Sequence, residues 1–280
     1  MRSDITTASK TQSPEGPGPH FSRMGSNKTG FKGAVQLSRV PAIGVDMLKV
    51  ASYNIRKGIG TDRRRAPLRI LDVLNEIDAD VVALQEADRR FGARLAALPV
   101  GMIEHHSPYA VVDVAARAGS IGWHGNALLV RRGTRVESVA RLTLPTLEPR
   151  GAVLADLEVN GVPLRVVGMH LDLSGLHRRR QGHAITAAIA ERDPRPTIIM
   201  GDTNEWRPHA GCLIDFAHKF RIAPTGPSYH SRRPVGRLDR IMVDHDTRII
   251  ACGVHHSALA TRASDHLPVW ADVELSGNTR

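Results

Sequence analysis

Cysteine is scarce: Cys212 and Cys252 are the only two in 280 residues, and no CxxC pair occurs. That excludes a disulfide framework and fits a reducing compartment. Aromatic residues make up 4% of the chain, too few for a base-stacking surface of the kind that binds single strands. No run approaches the ~18 consecutive apolar residues of a membrane-spanning helix, and the N-terminus lacks the apolar segment of a secretory signal. The expected location is therefore cytoplasmic. Acidic residues are outnumbered, 28 against 38 Lys and Arg, for a formal charge of +10. This excess favours polyanionic partners such as nucleic acid, anionic lipid or phosphorylated metabolites, without choosing among them. A basic protein that is merely soluble is the plain alternative.

Hydrophobic residues, by contrast, reach 41%, ample for a packed core, and the length suggests one or two domains. Residues 1–46 stand apart. Their stretch "TTASKTQSPEGPGPHFSRMGSNKTGFKG" is rich in Ser, Thr, Gly and Pro and has no period, so a disordered extension is expected. Six Lys/Arg against three Asp/Glu place +3 there and leave +7 beyond it. The basic character thus belongs mainly to a folded domain expected over 47–276, followed by a short tail over 277–280. Met47, directly before the first apolar run, and Met24 are alternative translation starts.

Beyond that point the pattern alternates. "LKVASYNI" (48–55), "DVVALQE" (80–86) and "NALLVRR" (126–132) read as strands. "RRAPLRILDVLNEID" spaces Leu68, Leu71, Leu74 and Ile77 by three residues, predicting a helix with one buried face. "AVLADLEVNGVPLRVVGMHL" predicts a hairpin turning at Asn160-Gly161. Residues 176–193 and "PHAGCLIDFAHKF" read as helices, and "RLDRIMVD" and "LPVWADVEL" as late strands. The layout is mixed α/β with at least one antiparallel pair, not a simple doubly wound parallel sheet.

The segment "PTIIMGDTNEW" (196–206) poses the functional question. Asp202 follows a buried strand, and a carboxylate there is costly unless something pairs with it or binds it. Other strands also end on polar groups: "VASYN" at Asn54, "VVALQE" at Glu86 and "RVVGMH" at His170, with Asn204 just beyond Asp202. Two strands carry theirs at the start, Asp239 in "RLDRIMV" and Asp265-His266 before "LPVWADVEL". Strands antiparallel to the first set bring their starts to the same edge. Four carboxylates at one mouth repel one another unless a divalent cation joins them, and oxygen ligands suit Mg²⁺ or Mn²⁺ more than Zn²⁺.

These motifs carry a resemblance. "ASYNIRKG", "VVALQEAD", "VVGMHLDL", "IIMGDTNEW", "RLDRIMV" and "ASDHLPV" resemble, in order, the motifs of the endonuclease/exonuclease/phosphatase family. That family includes DNase I, base-excision repair endonucleases, sphingomyelinases and inositol-phosphate phosphatases. The resemblance runs from about residue 48 to 275 and implies an α+β fold of the DNase I type: a four-layer α/β sandwich, two mixed β-sheets packed face to face and flanked by helices. It also implies a Mg²⁺-dependent phosphoesterase, with Mn²⁺ as a substitute. Glu86, helped by Asn54, with Asp265 nearby, resembles the metal site. Asp202 and Asn204 resemble the pair that handles the nucleophile and a phosphate oxygen, or a second metal. His170 resembles the histidine on the scissile phosphate. Asp239 resembles the carboxylate that orients His266, and His266 the general base or phosphate-stabilising imidazole.

The repair endonucleases carry an aspartate two residues after the asparagine, where this chain has Arg56. That departure speaks against abasic-site cleavage. Arg56 opens the basic stretch "RKGIGTDRRRAPLR", which either lines the mouth and attracts phosphate or forms a solvated loop and helix start. Asn126 either reaches a phosphate or simply begins a strand. Arg150 resembles a family arginine, and a surface salt bridge explains it equally. His105-His106 and His255-His256 lie in loop-like sequence and are expected to be exposed polar residues rather than ligands. Asp172 is expected only to solvate a strand exit. The implied substrate is a phosphate-containing anion, DNA, RNA or a phospholipid head group among the choices, acted on by a monomer. The alternative is a catalytically inactive phosphate- or nucleic-acid-binding module of the same fold, because fold alone does not guarantee chemistry.

Overall fold

The computed structural model describes residues 46–89, 95–146 and 150–275. The expected N-terminal extension, all but its last residue, and the expected tail lie outside the described residues. In chain order the elements are β1 (Asp46–Asn54), a single 3₁₀ turn (Arg56–Gly58), α1 (Pro67–Ile77), β2 (Val81–Gln85), α2 (Val100–His106), β3 (Tyr109–Val111), β4 (Ala127–Arg131), β5 (Arg135–Thr143) and β6 (Gly151–Val159). They continue with β7 (Val162–His170), α3 (Gly175–Ala190), β8 (Thr197–Asp202), α4 (Cys212–Ala217), β9 (Arg221–Ile222), β10 (Asp239–Val243), β11 (Arg248–Val254), α5 (Ala258–Ala263) and β12 (Val269–Leu275).

The strands form two six-stranded mixed sheets, ordered β11-β12-β1-β2-β4-β3 and β5-β6-β7-β8-β10-β9. Alternate side chains of each strand point to opposite faces, and both faces of both sheets are covered. Val50, Ala83 and Val273 of the first sheet meet Val166, Met200 and Ile241 of the second in the central core. The other face of the first sheet packs Tyr53, Val82 and Leu84 on Leu71 and Leu74 of α1 and Ala260 of α5. The other face of the second packs Val167, Ile199 and Met242 on Ile185 of α3 and Phe216 of α4. Burial on both faces explains why these strands read as near-continuous apolar runs rather than alternating ones. The result is the expected four-layer DNase I-like sandwich.

Local departures have physical causes. In α1 the buried face is Ile70, Leu71, Val73, Leu74 and Ile77, while Leu68 is exposed; Pro67 is the first helical residue, so Leu68 sits in an opening turn that points outward. The histidines His105 and His106 close α2 rather than lying in a loop. The hairpin turns as expected: Val159 pairs with Val162, and Asn160 and Gly161 take φ of 52° and 85°, the pair of positive values a two-residue type I′ turn needs. No helix among the described residues is long and apolar enough to cross a membrane.

Candidate active site

Strand direction assembles the site. In the first sheet β1 runs parallel to β2 and antiparallel to β12. In the second β7 runs parallel to β8, and β8 antiparallel to β10. The ends of β1, β7 and β8 and the starts of β10 and β12 therefore share one edge of the sandwich. Register makes this literal, because Asp202 stands opposite His170 on one side and opposite Asp239 on the other. Gly201 permits the close approach: its φ is 155°, and a Cβ there would lie 1.9 Å from the Met169 carbonyl oxygen.

Asp202, 1% exposed, is the hub. Its Oδ2 accepts a hydrogen bond from Asn54 Nδ2 at 3.0 Å, tying one sheet's edge to the other, and its Oδ1 accepts from the Asn204 backbone at 2.9 Å. The ring nitrogens His170 Nε2 and His266 Nε2 lie 3.4 and 3.8 Å from the same Oδ2. Asn204 (φ 49°) is held by its own amide on the Leu171 carbonyl at 2.9 Å.

The two histidines are driven in opposite directions. His266 Nδ1 is 2.8 Å from Asp239 Oδ2. Burial pushes its pKa down, but Asp239, Asp202 and Asp265 outweigh that and hold it at about 10. It is therefore an imidazolium at neutral pH. Asp239, fully buried, also accepts from Ser228 Oγ, and the Tyr229 ring lies 4.8 Å from the His266 ring. His170 is pushed down to about 3, chiefly by burial; Asp202 opposes the shift, while Arg150 and His266 add to it. The Arg150 guanidinium lies against its ring, 2.8 Å from Nδ1 and 2.7 Å from Nε2. One imidazole is charged and one neutral, both facing one carboxylate.

The histidine split carries a stability prediction. An unfolded histidine titrates near 6.5, so the stability that a neutral, buried His170 confers is present above about pH 6.5 and is lost as pH falls toward 3. Between about pH 6.5 and 4 the wild type should lose up to about 1.4 kcal/mol per pH unit through this group. His170→Gln should show a shallower acid slope in urea unfolding. Equal slopes in the two proteins would mean that His170 titrates normally.

Of the remaining expected residues, Glu86, Asp265 and Arg56 are partly exposed. Glu86 follows the last residue of β2 with φ 54°, and its carboxylate is held by Lys57 Nζ. Asp265 Oδ2 is 3.2 Å from Arg56 Nε. Arg56 and Lys57 themselves take φ of 45° and 57°. Left-handed backbone costs such residues about 1–3 kcal/mol each and tends to persist where function requires it. Asn126 is fully buried, with Nδ2 donating to the Gly151 carbonyl at 2.9 Å and Oδ1 without a partner.

Among the described residues, the group whose ligand atoms lie within 4.8 Å of one another is Asp202, Asp239 and His266. Glu86 and Asp265, of the trio expected to hold a metal, each pair with a side-chain cation. Asp172 does more than solvate a strand exit: it is buried and accepts from Ser174 N and Thr146 Oγ1. Lys57, Ser228 and Tyr229 were not singled out by the sequence. Only Lys57 left a signal, as part of the basic stretch.

Comparison with known proteins agrees with this geometry. The profile of the Endonuclease/Exonuclease/phosphatase family matches residues 51–266. "Uncharacterized protein YbhP" of Escherichia coli strain K12 is 29% identical over 255 residues, covering 81% of this chain and 96% of its own. Among solved structures, an endonuclease/exonuclease/phosphatase family protein of Bacteroides thetaiotaomicron superposes with TM-score 0.67 at 19% identity, covering 82% of this chain and 98% of that one. A mannosyl-6-phosphatase of the same organism gives 0.65 at 19%, covering 81% and 99%. D. rerio TDP2 complexed with single strand DNA product gives 0.63 at 16%, covering 81% and 98%. With six ordered motifs, the two-sheet sandwich and a family match spanning most of the chain, this protein belongs to the endonuclease/exonuclease/phosphatase family of phosphoester-acting hydrolases.

Proposed function

We propose that this protein is a divalent-metal-dependent phosphoesterase that hydrolyses a phosphodiester, in nucleic acid, phospholipid or a small molecule. The observation that carries this reading is the buried Asp239–His266 pair, 2.8 Å apart, directed at Asp202. A binding module has no use for a carboxylate-oriented imidazole facing a second carboxylate, whereas hydrolysis does.

The chain's residues divide the work. Asp202, held on both oxygens by Asn54 and Asn204, orients the attacking water and takes up its proton. His266, charged and fixed by Asp239, holds a non-bridging phosphate oxygen as negative charge builds. His170, neutral and braced by Arg150, donates a hydrogen bond to the same phosphoryl group.

Glu86, Asp265 and Asn54 would hold the Mg²⁺ or Mn²⁺ ion. Their fit rests on the donor set: two rim carboxylates and an amide, whose charge is balanced by Lys57 and Arg56, mark a place where positive charge is required. When bound, the ion supplies Lewis-acid stabilisation of the phosphoryl oxygens. Arg56 and Lys57 then become available to a polyanionic substrate, the role expected of the basic stretch.

The test is a substrate panel with Mg²⁺ or Mn²⁺: plasmid and abasic DNA, RNA, phospholipids, sphingomyelin, inositol phosphates and bis-p-nitrophenyl phosphate, with a sugar 6-phosphate as the monoester arm. Turnover of a diester that stops with EDTA is expected. Turnover of monoesters alone would replace diester with monoester hydrolysis. Phosphate binding without turnover of any member would make the chain an inactive binding module.

A further inference from the structure

Three arginines are buried among the described residues: Arg165, Arg178 and Arg240. Two are paired. Arg165 places Nε 2.7 Å from Asp156 Oδ1, and Arg178 places Nη2 2.8 Å from Glu205 Oε2. The third, 5% exposed, has no carboxylate partner among the described residues. Among the described residues its one hydrogen bond runs from Nη1 to the Asp239 carbonyl at 3.3 Å. A buried guanidinium without a direct ion pair is expensive, and burial pushes its pKa down against the through-space attraction of Asp239 and Asp202. Stability alone therefore does not explain why an arginine stands there.

Its surroundings do. Along β10, Ile241 and Val243 enter the core between the sheets, whereas Met242 packs on the outer face with α4. Arg240 shares the face of Met242, away from the histidines and Asp202. There it lines a cavity of about 570 Å³, within the range that holds small organic ligands. Its lining includes the guanidinium-bearing Arg237 and Arg240 and the polar His209, together with apolar Phe220, Ile222 and Pro224. Arg221, also on the wall, is already committed to the carbonyls of His245 and Thr247.

We propose that this cavity is a second ligand site, separate from the hydrolytic centre, for a small organic phosphate: an oxyanion head on Arg240 and Arg237, and an apolar or flat body against Phe220, Ile222 and Pro224. A planar guanidinium meets a phosphate through two parallel hydrogen bonds, which supplies the direct ionic partner that no carboxylate among the described residues provides. The loop that carries Pro208 and His209 into the cavity wall is the one that leaves Asn204 and Glu205, and Trp206 within it packs on Tyr229, the neighbour of His266. A ligand here therefore sits against a segment shared with the hydrolytic edge.

The full chain in EDTA, where turnover stops, is titrated by calorimetry with phenyl phosphate, benzoate and inorganic phosphate. Phenyl phosphate is expected to bind at least tenfold more tightly than inorganic phosphate. This binding should be lost in Arg240→Met and kept in His266→Ala. Arg240→Met should melt no lower than the wild type, because it removes a buried charge with no direct ion pair, whereas Arg165→Met should melt lower because it strands Asp156. Absence of phenyl phosphate binding, its survival in Arg240→Met, or its loss in His266→Ala instead would overturn the proposal. Benzoate binding without phenyl phosphate binding would overturn the phosphate head. Should Arg240→Met fold poorly, Arg240→Lys decides: it keeps the charge but not the planar fork, so about tenfold weaker binding is expected, and unchanged affinity sinks the idea.

Discussion

Replacing His266 with alanine should lower turnover by about 10²–10⁴-fold, the usual contribution of a positioned acid–base or charge-stabilising imidazole. Asp239→Asn should cost much of the same, although Asp239 is placed to meet only the imidazole. Its Oδ2 lies 2.8 Å from His266 Nδ1, and its charge is the foremost of those that raise His266 against the penalty of burial. Without it, the ring loses both its fixed tautomer and the support for its proton. Two residues that act as one unit lose the same term, whichever is removed. The double variant His266→Ala/Asp239→Asn should therefore be only slightly slower than the slower single one. Steady-state kinetics on the four proteins, with circular dichroism melts to confirm folding, measure this directly. Multiplicative losses in the double variant would show two independent roles. Near-normal turnover in His266→Ala would move the phosphate-stabilising role to His170, which has its own braced position beside Asp202.

The positions of these residues could be read from sequence because strand ends and strand starts carry different polar residues. Asn54, His170 and Asp202 each close a strand and Asp239 opens one, and a polar residue at the boundary of a short apolar run marks such an end. Partnerships were less legible. Nothing in "GPSYHS" announces that Ser228 and Tyr229 brace Asp239 and His266, because those contacts are made across the fold and leave no local period. Arg150 could be read as a surface ion pair until β6 and β7 placed it against His170. Asp172 looked like a solvated strand exit because its partners, Ser174 N and Thr146 Oγ1, are fixed by a loop. Strand β5 was not legible for another reason. As a sheet edge it is exposed along most of its length, so "RVESVARLT" lacks the buried signature that marks the central strands.

Glu86→Gln should reduce turnover by at least ~10²-fold, about 2.7 kcal/mol of transition-state stabilisation, and should also weaken the binding of Mg²⁺ or Mn²⁺ followed by titration. The substitution keeps the size of the side chain and removes only its charge. The backbone around it is set independently: the Glu86 carbonyl accepts from the Lys57 N–H at 3.1 Å, and the residue's left-handed conformation turns it out of β2 toward the rim. The variant should therefore fold, leaving metal affinity as the clean readout. Lys57 supplies the complementary test. Its ammonium contacts Oε2 of the same carboxylate, so it would compete with an ion bound there. Lys57→Met removes the competitor and should bind the ion more tightly than the wild type, even if substrate affinity falls with the lost positive charge. Unchanged metal affinity in Glu86→Gln would shift the ion to the buried group of Asp202, Asp239 and His266, whose ligand atoms already lie within 4.8 Å of one another. In that case Lys57 would be a plain rim salt bridge, and Asp202→Asn rather than Glu86→Gln would abolish metal binding.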